Sequence, residues 1–401
     1  MKVVPLPSEG LRVGRPLPFS VRDQAGTVLL ARGTMIESEK QLQLLRSRPL
    51  FIDPVESEAV QRAFNGQLDQ LVRDDVALGR IAQARPDFTR VQAAGAARAA
   101  AAERVDWPGL QMRLRLLLAD PRGADWVARL RALRDDIIAA VDRHPDRALL
   151  RLLHDASHEY QEYSANHSLL VCVLVALSAP AIPGWDRAWD DALTLAALTM
   201  NVSIASLQDE LARQLEKPSA TQRAQLDGHC ARSVEILRAA GVDDENWLQA
   251  VRDHHDAPPG PVSGRSTGEL LARLVRRADR YAARLSPRKS RPASASTAAA
   301  QAAFFDEGGH HDEAGQALVK TLGLYPPGSW VQLQCGEIAM VLKRAAIAKA
   351  PVVASLVTKA GMPFAVPSLR NTNLPSFEVT GAVAPSKVKV RANLDVLEKM
   401  V

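Results

Sequence analysis

The sequence predicts a mainly α-helical protein of several domains: a helical bundle core, a small β-rich N-terminal module and a C-terminal β-hairpin region. Three observations predict it. Aromatic residues make up only 4 % of the 401 positions while alanine and leucine are abundant, which favours helix over sheet. Leucine and isoleucine recur at helical spacing from Leu110 through Leu285. Short apolar runs broken by Gly and Pro are confined to the two ends. A chain of this length accommodates two or three domains and at least one large core.

Residues 1–55 carry the first group of short runs. Val13-Gly14-Arg15-Pro16 leads into Phe19-Ser20-Val21, Gln24-Ala25-Gly26 signals a turn before Thr27-Val28-Leu29-Leu30, and Phe51-Ile52-Asp53 closes the segment. That texture predicts a small β-rich module with one helix near Glu37 to Ser47. It contains no phosphate loop, paired carboxylates or cysteine cluster, so it is expected to dock or sense. Residues 56–105 are polar and end in the alanine-rich Ala93 to Ala102, which predicts a helical connector.

From Trp107-Pro108 onward the pattern is that of a packed helical domain, 106–345. Leu110, Leu114, Leu117 and Leu118 recur at helical spacing, as do Leu130, Leu133, Ile137 and Ile138, then Leu149, Leu152 and Leu153. The stretches 287–302 and 306–315 have few large apolar residues and are expected to be surface loop or short helix. Leu322-Gly323-Leu324-Tyr325-Pro326-Pro327-Gly328, then Trp330 to Leu333, Gly336-Glu337 and Ile338 to Leu342, predict a Gly-punctuated hairpin. The extension 346–401, rich in Pro, Val and Lys, is expected to add short strands.

Composition narrows the function classes. Charged residues are 24 % and the formal net charge is +5, dispersed along the chain, so no DNA or RNA partner is expected. Cys172, Cys230 and Cys335 lie far apart with no Cys-x-x-Cys spacing, which predicts reduced thiols in a cytoplasmic protein. No secretory signal is visible behind Met1. The strongest apolar run, Leu169 to Ile182, is the length of a core helix and is expected to be too short to cross a bilayer.

The histidines carry the chemistry. His167 opens an apolar run, His229 follows a helical stretch, His254-His255-Asp256 ends the next one, and Asp279-Arg280-Tyr281 lies on another. Adjacent imidazoles with a third from a neighbouring helix are a way to surround one metal. Two similar patterns are set aside. His154-Asp155 precedes His167 and is expected to be a helix-surface pair; His310-His311-Asp312 sits in a Gly-flanked stretch and is expected to be a solvated loop. Arg276-Arg277 and Arg288-Lys289 are expected to be helix-surface charges.

The order of these residues resembles the HD-GYP family of metal-dependent phosphohydrolases, which cleave the bacterial signal cyclic di-GMP. The resemblance spans roughly 150–345, including Tyr325-Pro326-Pro327-Gly328 and the Gly336-Glu337 hairpin. It implies an HD-type helical core. Residue by residue, His167 matches the first ligand, His229 the lone third-helix histidine, His254 and His255 the paired ligands, and Asp279 the closing carboxylate. Arg288 and Arg291 follow Asp279 as basic residues do in the family and are the expected ligand-binding positions. Several positions depart. Met200-Asn201 stand where His-Asp belongs, and Ile204 stands where a lysine near the phosphate belongs. Asp256 replaces a glutamate, and Ala257-Pro258-Pro259-Gly260-Pro261 lacks the Gly-Tyr-Pro itself.

In a two-metal phosphodiesterase the aspartate of His-Asp bridges ions about 3.5–4 Å apart. Asparagine is neutral, and methionine suits soft metals. A binuclear centre is therefore not expected. What remains is a set for at most one divalent ion (zinc, iron or manganese) on His229, His254 and His255, with His167 and Asp279 beside them. The resemblance implies a role in cyclic di-GMP signalling without turnover, with cyclic di-GMP or a signalling protein such as a diguanylate cyclase as partner. The alternative is a phosphohydrolase that works with a single ion.

Overall fold

The computed structural model describes residues 105–401 apart from 259 and 345–349, and most of 3–54 together with 57. It leaves out 1–2, 7–10, 12, 15–16, 18, 25, 27, 31–33, 48, 55–56 and 58–104. Almost all of the expected connector, 56–105, therefore lies outside the described residues. The chain divides into two compact units, Met1–Val105 and Asp106–Val401.

In the first unit, β1 (Val4–Pro5), β2 (Val21–Arg22), β3 (Val28–Leu30) and β4 (Phe51–Ile52) form an antiparallel sheet in the order β1-β4-β2-β3. Helix α1 (Glu39–Arg46) is started by Ser38, whose hydroxyl accepts from the Gln41 amide. Phe19, Val21, Ile36, Leu42, Leu45 and Ile52 are buried together, closing a core of the module's own.

The second unit is helical through its first two thirds. Helices α2 (Trp107–Ala119), α3 (Trp126–Arg143) and α4 (Pro145–His158) bury the leucine stripes read from the sequence: Leu114, Leu130, Leu133 and Leu149 have no more than a trace of exposed surface. Helix α5 (Tyr163–Ser178) is buried around nearly its whole circumference and forms the centre of the bundle. Its amino end is held by Asp209, which accepts from the Ser164 amide at 2.7 Å. With the 3-10 turn that follows, the apolar segment Tyr163–Ala181 is 19 residues long. That corrects the expectation that it is too short for a bilayer; its apolar character is accounted for by packing, since 78 % of it is buried inside the unit.

Around α5 stand α6 (Asp190–Thr199), α7 (Ala205–Arg213), α8 (Ala220–Asp227), α9 (His229–Ala239), α10 (Glu245–Asp253) and α11 (Thr267–Leu285), followed by α12 (Ser296–Phe304) and α13 (Glu313–Leu322). Local signals set their starts. Ser219 and Gln222 form a capping box at α8, Ser266 and Glu269 another at α11, and Asp244 caps α10. Helix α11 turns Leu270, Leu271, Leu274, Val275, Ala278 and Tyr281 inward and packs on α5 and α10.

The expected hairpin is present: β5 (Trp330–Leu333) pairs antiparallel with β6 (Ile338–Lys343). β7 (Val352–Val357), β8 (Pro363–Arg370) and β9 (Val379–Val383) extend it into a five-stranded antiparallel sheet, β8-β7-β6-β5-β9, and a one-turn helix α14 (Leu394–Leu397) follows. Gly328 is required at the entry to β5. It has φ +89° and its Cβ position is 2.8 Å from the Leu150 carbonyl oxygen on α4.

Two expectations about charge are corrected here. Asp312 and Arg277 are fully buried. Asp312 caps α13 by accepting from the Gly315 amide at 2.9 Å and pairs with Arg273, itself fully buried. Arg277 donates to Glu307 at 2.8 Å and to the Phe305 carbonyl at 2.8 Å. The 306–312 stretch is thus tied to α11 by ion pairs, while His310 and His311 of the triplet are exposed as expected, His310 at 83 % of its side chain. His154 and Asp155 are half-buried, with Asp155 taken by Arg151 at 2.6 Å.

Candidate metal centre and nucleotide cleft

Five segments converge on one cleft of about 610 Å³. His167 comes from α5, Asn201 from the turn after α6, His229 from the first residue of α9, His255 from the end of α10 and Asp279 from α11. The sequence separates these residues by more than a hundred positions; the packing of α5, α6, α10 and α11 against one another brings them together.

Two of them, His229 and His255, each bring a ligand atom within 4.8 Å of one another and of one on His254, which is buried behind the cleft wall. His229 Nδ1 lies 2.5 Å from the Leu226 carbonyl and His254 Nδ1 lies 2.8 Å from the Val251 carbonyl. A carbonyl only accepts, so both Nδ1 atoms carry the proton. Burial holds both rings neutral, pressing the His254 imidazole down to about 3 and His229 in the same direction. In the neutral ring a protonated Nδ1 leaves Nε2 bare. The two Nε2 atoms face each other at 3.4 Å, so two lone pairs point into one space. That is no hydrogen bond; it is an arrangement that a cation satisfies, with the carbonyls fixing the tautomer from behind.

His167 and Asp279 lie in the same cleft but are engaged with each other. His167 Nε2 donates to Asp279 Oδ1 at 2.7 Å, and its Nδ1 has no hydrogen-bond partner. Burial works against the Asp279 charge, yet the His167 hydrogen bond and the neighbouring histidines outweigh it and hold the carboxyl well below the usual carboxylate range. Tyr163 stacks on His167, ring centroids 5.4 Å apart and 10° from parallel.

Met200 is fully buried and Asn201 is 5 % exposed at the edge of the cleft. The backbone there keeps its fastening: Ser203 Oγ donates to the His229 carbonyl at 2.9 Å, and Trp247 Nε1 donates to Thr199 Oγ1 at 2.8 Å. Ile204 packs with Leu207, Leu211 and Leu226.

Of the two arginines expected to bind ligand, Arg288 lines the cleft and sits over the Tyr163 ring at 5.0 Å. Arg291 instead donates to the Ser286 and Ala283 carbonyls, so its visible work is to hold the loop after α11. Sequence reasoning missed Arg252 and Cys230, both in the cleft wall. The signal for Cys230 was its adjacency to His229, which a search for paired cysteines passes over. Burial, followed by the charge of Asp256, pushes its thiol up to about 11.

A curated relative, the cyclic di-GMP phosphodiesterase PA4108 of Pseudomonas aeruginosa, is 28 % identical over 221 residues, 53 % of this chain and 51 % of that protein. The helical unit is HD-GYP-like. The chain spans about half the length of the curated relative it matches. No family model matches the chain. The solved structure of Bd1817, an HDG"Y"P protein from Bdellovibrio bacteriovorus, superposes with TM-score 0.39 at 17 % identity, covering 80 % of this chain and 99 % of that one, too distant a likeness to bear on the fold. Within the HD-GYP-like unit the donor set fits one ion and does not fit two. Position 201 supplies no anion, and of the carboxylates in the cleft Asp279 already accepts from His167.

Proposed function

We propose that this chain is a degenerate HD-GYP-like protein that acts in cyclic di-GMP signalling by binding, without turnover. The observation that carries the proposal is Asn201, a neutral amide in the cleft where the bridging carboxylate is needed. Two dications about 4 Å apart repel by about 16 kcal/mol at an effective dielectric of about 20. An amide carbonyl does not offset that. Ile204, turned into an apolar cluster, withdraws a phosphate-side cation as well. The likeness to a cyclic di-GMP phosphodiesterase supports the choice of nucleotide. Arg252 and Arg288 at the cleft supply charge for its phosphates, and the cleft volume falls in the range of small-molecule sites. Three unpaired thiols accord with a cytoplasmic setting.

The test pairs calorimetry against cyclic di-GMP with a hydrolysis assay in manganese, iron(II) and zinc. Binding without hydrolysis is expected, and Met200→His/Asn201→Asp is expected to gain turnover. Hydrolysis by the wild-type chain at a rate the double change does not raise sinks the proposal. Absence of nucleotide binding moves the role to a protein partner, such as a diguanylate cyclase, read by pull-down.

A second function is favoured by the facing Nε2 atoms of His229 and His254: a phosphohydrolase using one ion, which when bound would acidify a water. Turnover of a phosphodiester that vanishes in His254→Ala supports it; turnover that survives the change does not come from this cleft.

A further inference from the structure

A second cavity, of about 940 Å³, opens elsewhere in the helical unit and shares no lining residue with the cleft. It lies between the turn after α5, the loop that enters α11, the end of α12 and one face of α13. On α13, Glu313, Gln316, Ala317 and Lys320 stand at the i, i+3, i+4, i+7 spacing of a single helix face, and all four line the cavity. Ile182, Leu270 and Ala317 give it a buried apolar floor. Leu270 here and Asp279 in the cleft lie on the same helix, about 13 Å apart along its axis.

Two aromatic rings line this cavity, and each is braced by a neighbour. Trp189 meets Trp185 edge to face with centroids 5.3 Å apart, and Trp185 Nε1 donates to Asp190 at 2.8 Å. Phe304 rests against Phe305 at 5.1 Å and His311 at 4.9 Å. Both lining rings stay half-buried, with part of their surface free. Braced rings over an apolar floor suit a flat apolar body, and the volume is in the range of small-molecule sites.

Charge narrows the occupant further. Glu313 accepts from the Val262 amide at 2.9 Å and so fastens the loop. Arg265 gives its hydrogen bonds to the Pro261 and Pro258 carbonyls, each at 2.8 Å, which are neutral and leave the guanidinium charge unopposed. Lys320 is exposed and has no ion-pair partner among the described residues. It stands two turns from Glu313, about 10 Å along α13. Two cations against one carboxylate leave the cavity net positive.

We propose that this cavity is a binding site for a small aromatic acid, its ring against Trp189 and Phe304 and its anionic group at Lys320. The assignment depends neither on a nucleotide nor on an ion in the cleft.

The test uses the full chain and two fluorescent probes with one ring body, anilinonaphthalene sulfonate and the uncharged phenylnaphthylamine. One saturable site per chain is expected, with naphthoate competing for it. Trp189→Ala is expected to weaken both probes about 2–10-fold, the worth of one aromatic contact. Lys320→Gln is expected to weaken the sulfonate about 2–5-fold, the worth of one exposed ion pair, and to leave the uncharged probe unchanged. Arg288→Ala, in the cleft, is expected to move neither probe. Circular dichroism reports that each variant keeps its fold. Weakening in Arg288→Ala puts the probes in the cleft and overturns the site. A Lys320→Gln effect that is absent, or equal for both probes, overturns the acid group. Decanoate displacing the probes as readily as naphthoate overturns the aromatic class. Binding that does not saturate at one per chain, or that Trp189→Ala leaves intact, overturns the proposal outright.

Discussion

Asp312 shows how much a single carboxylate carries when it is taken out of water. It is fully buried, caps α13, and faces the buried guanidinium of Arg273, whose Nη1 is also fixed by the Ala257 carbonyl at 2.8 Å. Removing it strands a charge that has no route to solvent and undoes a helix cap in the same step. Asp312→Ala is therefore expected to cost about 3–5 kcal/mol in urea unfolding, the range for breaking a buried pair from one side. A loss under about 1 kcal/mol would mean that Glu307 compensates Arg273 unaided. Nothing near Asp312 in the sequence announces this. His310-His311-Asp312 between glycines reads as solvated loop because its partners are on α11, some forty residues upstream. Cys230 escaped notice for a related reason: a lone thiol acquires meaning only from the imidazoles that folding places beside it. His229, His254 and His255, in contrast, were legible, because adjacent histidines at a helix end are a pattern that periodicity does not produce.

At the scale of elements, the glycines and the arginine face of α11 make separate predictions. The Tyr325-Pro326-Pro327-Gly328 turn lets the chain pass against α4, and a Cβ at Gly328 meets the Leu150 carbonyl at 2.8 Å and the His154 amide nitrogen at 3.1 Å. The contacts are backbone and cannot swing away. Gly328→Ala is expected to lose more than about 2 kcal/mol, the sum of overpacking and a left-handed φ, read as a lowered denaturant midpoint at unchanged slope.

Glu307 faces Arg276 at 3.0 Å, Arg277 at 2.8 Å and Arg280 at 2.8 Å. Burial disfavours its charge, but the Arg276 hydrogen bond and the Arg277 charge prevail and hold the carboxyl down at about 2, from 4.5. A folded value below the unfolded one means the contribution is fully present above about pH 4.5 and is lost as pH falls toward 2. The stability gap between wild type and Glu307→Gln is expected to be constant above pH 5 and to close between pH 4.5 and 2. A gap that widens on acidification would show the sign to be wrong. The helices and the β5–β6 hairpin were readable from leucine spacing and Gly336, since both are local rules. The completed five-stranded sheet was not, because which strands pair is decided by contacts far apart in sequence.

For the whole molecule, the two compact units each bury a core of their own, Phe19, Val21, Ile36 and Ile52 in one and the faces of α5 and α11 in the other. The functional residues all belong to the second: His167, Asn201, His229, Cys230, His254, His255 and Asp279 lie between α5 and α11. Stability and ion binding should then be properties of that unit. A fragment beginning at Asp106 is expected to unfold cooperatively, within about 4 °C of the corresponding transition in the full chain, a shift equivalent to about 1–2 kcal/mol for a domain this large. Calorimetry of the full chain should show a further, smaller transition that the fragment lacks. Saturating zinc should raise the larger transition alone, by an increment set by how far its concentration exceeds the dissociation constant, about 2.7 kcal/mol at a hundredfold excess. Because His229 comes from α9 and His254 and His255 from the end of α10, the increment should disappear in His254→Ala. A zinc effect on the smaller transition, or a fragment that does not fold, would show that the N-terminal module completes the helical unit.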